Sequence, residues 1–281
     1  MVKIITDTTS CLPEAVAERY DIPVIPQVIN FGDESYLEKV NLSNAEFMEK
    51  LRNSAQIPKT AAPPPELFAE QFQRLAPSGE PILCIHPSTE VSGTVRSASV
   101  AALDFPGVDI RVIDTRVVAS PLGTIVEEAA KWAASGMGIE EIIAGIENLI
   151  RRCRVYFLVA TLDYLARGGR IGGATHLLGS VLQVKPILAL RDGKVDNYEK
   201  ERTHRRAVAR LKEIVCEQAP LDGSAMLSVM HADVPEEAQA LRDDLSKIVN
   251  QKEIFIADVP PAIVTHGGPG ILGVGFFVRD S

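Results

Sequence analysis

Five short groups in this 281-residue chain carry side chains able to meet an anion: Thr6-Asp7-Thr8-Thr9-Ser10, Lys59-Thr60, Ser92-Gly93-Thr94, Gly168-Gly169-Arg170 and His266-Gly267-Gly268-Pro269-Gly270. Each is a small hydroxyl, a glycine turn or a lone cation where a β-rich run ends, which is where open α/β sheets place their ligands. Together they describe a grip on one anionic head group, with the rest of the ligand left to apolar side chains.

Every group also has a plainer use. Ser92 stands before a helical run, so its hydroxyl and the unbonded N–H groups of the first turn can hold an anion, or Ser92 can simply cap the helix. Thr60 lies in Lys59-Thr60-Ala61-Ala62-Pro63, a loop kept extended by its prolines, where the hydroxyl serves a ligand or is an ordinary loop threonine. Arg170 follows two glycines that allow a tight turn and a two-pronged contact with a carboxylate or phosphate; a surface salt bridge uses it equally well. His266 follows an apolar run, residues 262–265, expected as a strand, and imidazole titrates near neutral pH. Asp7 and Asp114 end strands in the same manner and are read as supports for the site.

Several chemistries lose their usual signature. The sequence has no Gly-x-x-x-x-Gly-Lys-Ser/Thr loop, no Gly-x-Gly-x-x-Gly after a strand, no His-Glu-x-x-His and no Gly-x-Ser-x-Gly elbow. Cys11, Cys84, Cys153 and Cys216 are far apart and not at zinc-ligand spacing, so no metal is expected and the thiols are read as reduced. A net charge of -8 gives no basic stripe for nucleic acid. The arginines of residues 202–210 read as the solvated face of a helix whose inner face is Ala207, Leu211, Ile214 and Val215. No apolar run is long enough to cross a bilayer, and the first residues reach Asp7 before a signal-type stretch forms, so a soluble cytoplasmic protein is expected.

The elements that must position these groups fall into an α/β chain of two domains, residues 1–153 and 154–281. In the first, β-rich runs at 2–6, 24–31, 81–85 and 108–113 alternate with helical patterns at 13–20, 43–53, 65–75, 93–103 and 122–134, the grammar of a doubly wound, mainly parallel sheet. A further helix is expected at 139–150. The second opens with a strand at 155–160, has a hairpin signal in Asp192-Gly193, and interleaves helices at 203–218 and 235–249 with strands at 225–230, 253–257 and 274–278. That pattern suggests a mixed α+β sheet.

In their shared order these residues resemble the DegV family of bacterial proteins, whose members include the fatty-acid-binding subunits of fatty acid kinase. The most specific pieces are Ile5-Thr6-Asp7-Thr8-Thr9-Ser10, Ser92-Gly93-Thr94 with Ser97-Ala98, Tyr164-Leu165-Ala166-Arg167-Gly168-Gly169-Arg170-Ile171 and Lys185-Pro186-Ile187-Leu188, and the match spans essentially the whole chain. The resemblance implies one long-chain fatty acid in a tunnel between two α/β domains. It implies a carboxylate held by Thr60, Ser92 and the backbone near Gly93. Arg170 and His266 would lie by the head group and present it to a partner kinase for acyl-phosphate formation. On this reading the chain is a carrier and co-substrate, without a cofactor and not itself a catalyst. Leu158, Leu162, Ile187 and Phe277 are taken from apolar patterning as tunnel candidates.

Two motifs depart from the family pattern: Ala61 stands where a serine is usual, and Gly267 and Ile271 replace threonines in the His-Thr-Gly-Pro-Gly-Thr motif, so a drier head-group environment is expected. Burying about sixteen carbons at ~0.8 kcal/mol per methylene gives a gross drive on the order of 12 kcal/mol, so the tail sets affinity and the head group sets orientation. Two rival readings remain: a phosphotransfer enzyme or phosphocarrier that uses His266, as in dihydroxyacetone-kinase-type relatives of the fold, and a plain interaction module.

Overall fold

The computed structural model describes residues 1–54, 56–178 and 184–280. The fold is mixed α/β and divides into two compact units, Met1–Ile150 with Pro260–Ala262, and Arg151–Val259 with Ile263–Ser281.

The first unit is built on a four-stranded parallel sheet of β1 (Lys3–Asp7), β2 (Val24–Ile25), β6 (Ile82–His86) and β7 (Ile110–Asp114), in the order β2-β1-β6-β7. All of β6 is buried, as is β1 after Lys3. Covered parallel strands need such near-continuous apolar runs. Ile5, Ile82 and Cys84 pack against Phe68, Phe72 and Leu75 of α3 (Pro65–Leu75) and Ala98 and Ala101 of α4 (Thr94–Ala102). The chain leaves β1 for β2 on one side and returns to β6 on the other, so the strand order reverses between β1 and β6, and their carboxyl ends are the expected ligand position. Within this unit also lie α1 (Glu14–Arg19), α2 (Asn44–Asn53), α5 (Ser120–Ala134) and α6 (Ile139–Arg152). Ser43 and Glu46 close a reciprocal capping box at the start of α2.

The expected single strand at 24–31 is two strands in two sheets. After β2 the chain turns at Pro26-Gln27, and β3 (Val28–Phe31) joins β4 (Glu34–Leu37) and β5 (Lys59–Ala61) in a separate three-stranded antiparallel sheet. Pro26, which has no N–H for a ladder, marks the break. Thr60 is therefore in a short strand, paired with Ile29, and not in a loop.

The second unit carries a six-stranded sheet ordered β10-β9-β8-β13-β11-β12, made of β8 (Cys153–Leu158), β9 (Lys185–Arg191), β10 (Lys194–Glu201), β11 (Ser228–His231), β12 (Phe255–Asp258) and β13 (Leu272–Phe277). It is a mixed sheet: β11 and β12 run parallel and the other neighbours antiparallel. Asp192 and Gly193 both take positive φ, 48° and 80°, as the hairpin signal requires. Leu211, Ile214 and Val215 of α8 (His204–Gln218) and Leu241 and Leu245 of α9 (Pro235–Ile248) pack into one core with Val229, Val274 and Phe276. Among the described residues no helix is long and apolar enough to cross a membrane.

The run 262–265 is not the expected strand. It lies in a short helix, α10 (Pro261–Gly267), which follows the short α7 (Asp163–Arg167) and the elements above in chain order. Pro261 suits a first helical position, and the buried carboxyl of Glu38 accepts from Ala262 N at 2.7 Å. These outweigh the strand preference of Ile263, Val264 and Thr265.

Candidate functional site

The carboxyl ends of β1 and β6 bring Asp7 and His86 together. Both are fully buried, and His86 Nδ1 donates to Asp7 Oδ2 over 2.7 Å, with the Phe68 ring perpendicular to the imidazole at 5.3 Å. The other oxygen of Asp7 accepts from Thr9 N at 3.0 Å, Thr9 Oγ1 at 2.6 Å and Gln27 Nε2 at 3.0 Å. A buried charge is tolerated only with such a set of donors. Gln27 Nε2 also reaches Thr94 Oγ1 at 2.9 Å, and Thr94 Oγ1 is 2.8 Å from Ser92 Oγ. A continuous polar chain thus runs from the sheet to the half-buried Ser92 at the head of α4.

Ser92 is one residue before the N-cap, which is Gly93, and its hydroxyl accepts from Thr94 N at 3.3 Å. Gly93 is exposed, and a Cβ placed on it would stand 3.3 Å from the Cβ of Ala62. The turn at Ser92-Gly93 and the stretch that follows Thr60 therefore meet. Thr60 is half-buried.

A second carboxyl joins the same network. Glu38 is fully buried, accepts from the Thr8 hydroxyl as well as from Ala262 N, and burial pushes its carboxyl up to about 7. Thr8 Oγ1 in turn accepts from Gln27 N at 3.2 Å, which ties Glu38 to the Asp7 network. Asp114 accepts from Thr89 N and Oγ1 and from Arg116 N, which ties the loop after β6 to the end of β7.

In the second unit, α7 and the end of α10 approach each other without room for side chains. A Cβ on Gly168 would stand 2.2 Å from His266 Nδ1, and one on Gly268, whose φ is 76°, would stand 2.5 Å from the Tyr164 ring. This packing sets Arg170 near His266. Arg170 Nη1 donates to Gly168 O at 2.6 Å, so the guanidinium is anchored on its own turn. Burial, then the nearby charge of Arg170, lowers the His266 imidazole to about 4. At neutral pH His266 is therefore uncharged, with Nδ1 buried.

Of the tunnel candidates, Leu158 and Ile187 sit in the core cluster with Leu211 and Ile214, where they pack the sheet against α8. Leu162 and Phe277 are also buried. The two departures from the family motif prove to be neighbours: a Cβ on Gly267 would stand 2.5 Å from Ile271 Cδ1, so the isoleucine occupies the space a side chain at 267 would need.

Sequence reasoning passed over His86, Gln27 and Glu38, and named Thr94 only as part of the Ser92-Gly93-Thr94 group, without a role. A signal existed for His86, a polar residue that closes an otherwise apolar strand, as Asp7 does for β1. Glu38 carried none, because one of its partners, Ala262 N, is 224 positions away. Among the described residues no group of His, Cys, Asp and Glu could hold a metal ion.

Comparison with known proteins extends over the whole chain. A model of the DegV family matches residues 1–279. A DegV domain-containing protein of Streptomyces coelicolor is 39% identical over 278 residues, covering 97% of each chain. Among solved structures, a DegV family protein from Thermus thermophilus described for its fatty acid binding superposes with a TM-score of 0.89 at 30% identity, covering 99% of both chains. DegV of Bacillus subtilis, described as a fatty acid binding protein, gives a TM-score of 0.90 at 30% identity with the same coverage.

Proposed function

The chain belongs to the DegV family, and from that premise we propose that it binds a long-chain fatty acid, with the carboxylate received by Thr60, Ser92 and the backbone at Gly93. The observation that supports this reading is the hydroxyl of Ser92 at the head of α4, held from below by a buried polar chain, in a protein similar over its full length to structures described as fatty acid binding. A carboxylate at that point meets one oriented hydroxyl and the positive end of a helix, and each charge-assisted bond returns roughly 1.5 to 3 kcal/mol of its desolvation cost. The acyl chain supplies the remaining drive.

Presentation of the carboxylate to a partner kinase, with Arg170 and His266 as the residues proposed to serve it, completes the proposal. His266 is uncharged near neutral pH, so the electrostatic welcome for an anion there comes from Arg170. The rival use of His266 as a phosphate carrier meets a steric objection at Nδ1, which faces the Gly168 backbone. Native mass spectrometry of protein purified from cells, followed by lipid analysis and by incubation with a phosphodonor, separates the readings. A released fatty acid and no covalent phosphate is expected. A protein empty of lipid that gains a phosphate would reverse the assignment.

A further inference from the structure

We propose that Asp7, Gln27 and Thr94 fix the polarity of the Ser92 hydroxyl, making Ser92 an obligate hydrogen-bond donor that selects an oxyanion head group over a neutral alcohol. The inference rests on the reading of Ser92 as a head-group ligand.

A carboxylate can only accept, so each group at Asp7 must donate. That requirement orients the Gln27 amide, because its nitrogen has to face Asp7 Oδ1 at 3.0 Å. The same nitrogen, with only hydrogens to offer, lies 2.9 Å from Thr94 Oγ1, so Thr94 is an acceptor there. Either hydroxyl could donate across the 2.8 Å between Thr94 Oγ1 and Ser92 Oγ, but Thr94 is fully buried and its hydroxyl meets only Gln27 Nε2, a donor, and Ser92 Oγ, so its hydrogen is assigned to Ser92. Ser92 Oγ already accepts from Thr94 N at 3.3 Å. With both lone pairs engaged, Ser92 has its hydrogen alone to give. A carboxylate oxygen is a suitable partner in any rotation, whereas an alcohol receives one bond and must place its own hydrogen elsewhere. His86 Nδ1 and Thr9 act one step further back, where they hold the Asp7 carboxylate that sets the direction. Asp7, Gln27 and Thr94 are positioning residues.

The test titrates delipidated full-length protein with palmitic acid and with cetyl alcohol. Thr94→Val removes the link and lets Ser92 reverse, so the preference for acid over alcohol should fall about tenfold, the weight of one hydrogen bond to a charged group. Thr94→Ser should restore it. Gln27→Leu, which acts from the other side of Thr94, should give the same loss and serves if Thr94→Val does not fold. In a Ser92→Ala background Thr94→Val should change nothing further, and an undiminished effect there would overturn the proposal. Side-chain scalar couplings give a second readout without ligand: Ser92 should hold one χ1 rotamer in the wild type and average in Thr94→Val. Averaging in the wild type overturns the relay. Failure of the wild type to bind either lipid would instead defeat the fatty acid reading, and the couplings would still decide the relay.

Discussion

A methyl group at position 168 would have to share space with the His266 imidazole, since the added carbon would stand 2.2 Å from Nδ1. Gly168→Ala should therefore cost about 1–3 kcal/mol in urea unfolding and displace the ring; an unchanged midpoint would show that the ring yields freely. Glu38 gives a pH-dependent prediction. Its carboxyl, raised from 4.5 to about 7, binds a proton more tightly in the folded chain than in the unfolded one. The stability it contributes is present below about pH 4.5 and is lost as pH rises through about 7, on the order of 3 kcal/mol in all. Glu38→Gln, which mimics the protonated acid, should flatten that part of the stability curve, and parallel curves for variant and wild type would contradict the assignment. Single residues such as Ser92 and Arg170 could be named from local chemistry because a hydroxyl before a helix or a cation after two glycines is a short-range pattern. Glu38, Gln27 and the link from Gln27 to Thr94 could not, because what makes them matter is contact across 67 residues for Gln27 with Thr94 and 224 for Glu38 with Ala262.

Elements were legible where their signals are local. Pro65 starts α3 and Asp192-Gly193 turns the hairpin where the sequence says they should. The misreading of α10 has the opposite origin: Ile263-Val264-Thr265 prefers a strand, and a buried acceptor from a distant loop, together with Pro261, makes it a helix. The same helix carries a compensation between Gly267 and Ile271. Gly267→Thr alone should clash with the isoleucine and lower the melting temperature by several degrees, the equivalent of roughly 1–2 kcal/mol. Adding Ile271→Thr should recover most of that loss, and additive losses in the double variant would refute the pairing.

For the whole molecule, the alternation of strands and helices disclosed a parallel sheet in the first unit, and the Asp192-Gly193 hairpin among interleaved helices disclosed a mixed sheet in the second. The extra antiparallel sheet of β3, β4 and β5 escaped notice because its strands are of three to four residues and only partly buried. That sheet nevertheless carries Thr60. A carrier of this kind takes a ligand whose tail gives affinity and whose carboxylate gives orientation. The most direct measurement is calorimetric titration of delipidated protein with palmitic acid, wild type against Ser92→Ala. Saturable one-to-one binding that weakens about tenfold in the variant, with cetyl alcohol binding little altered by it, is the expected result. No heat of binding in the wild type, or equal loss for acid and alcohol in the variant, would contradict it.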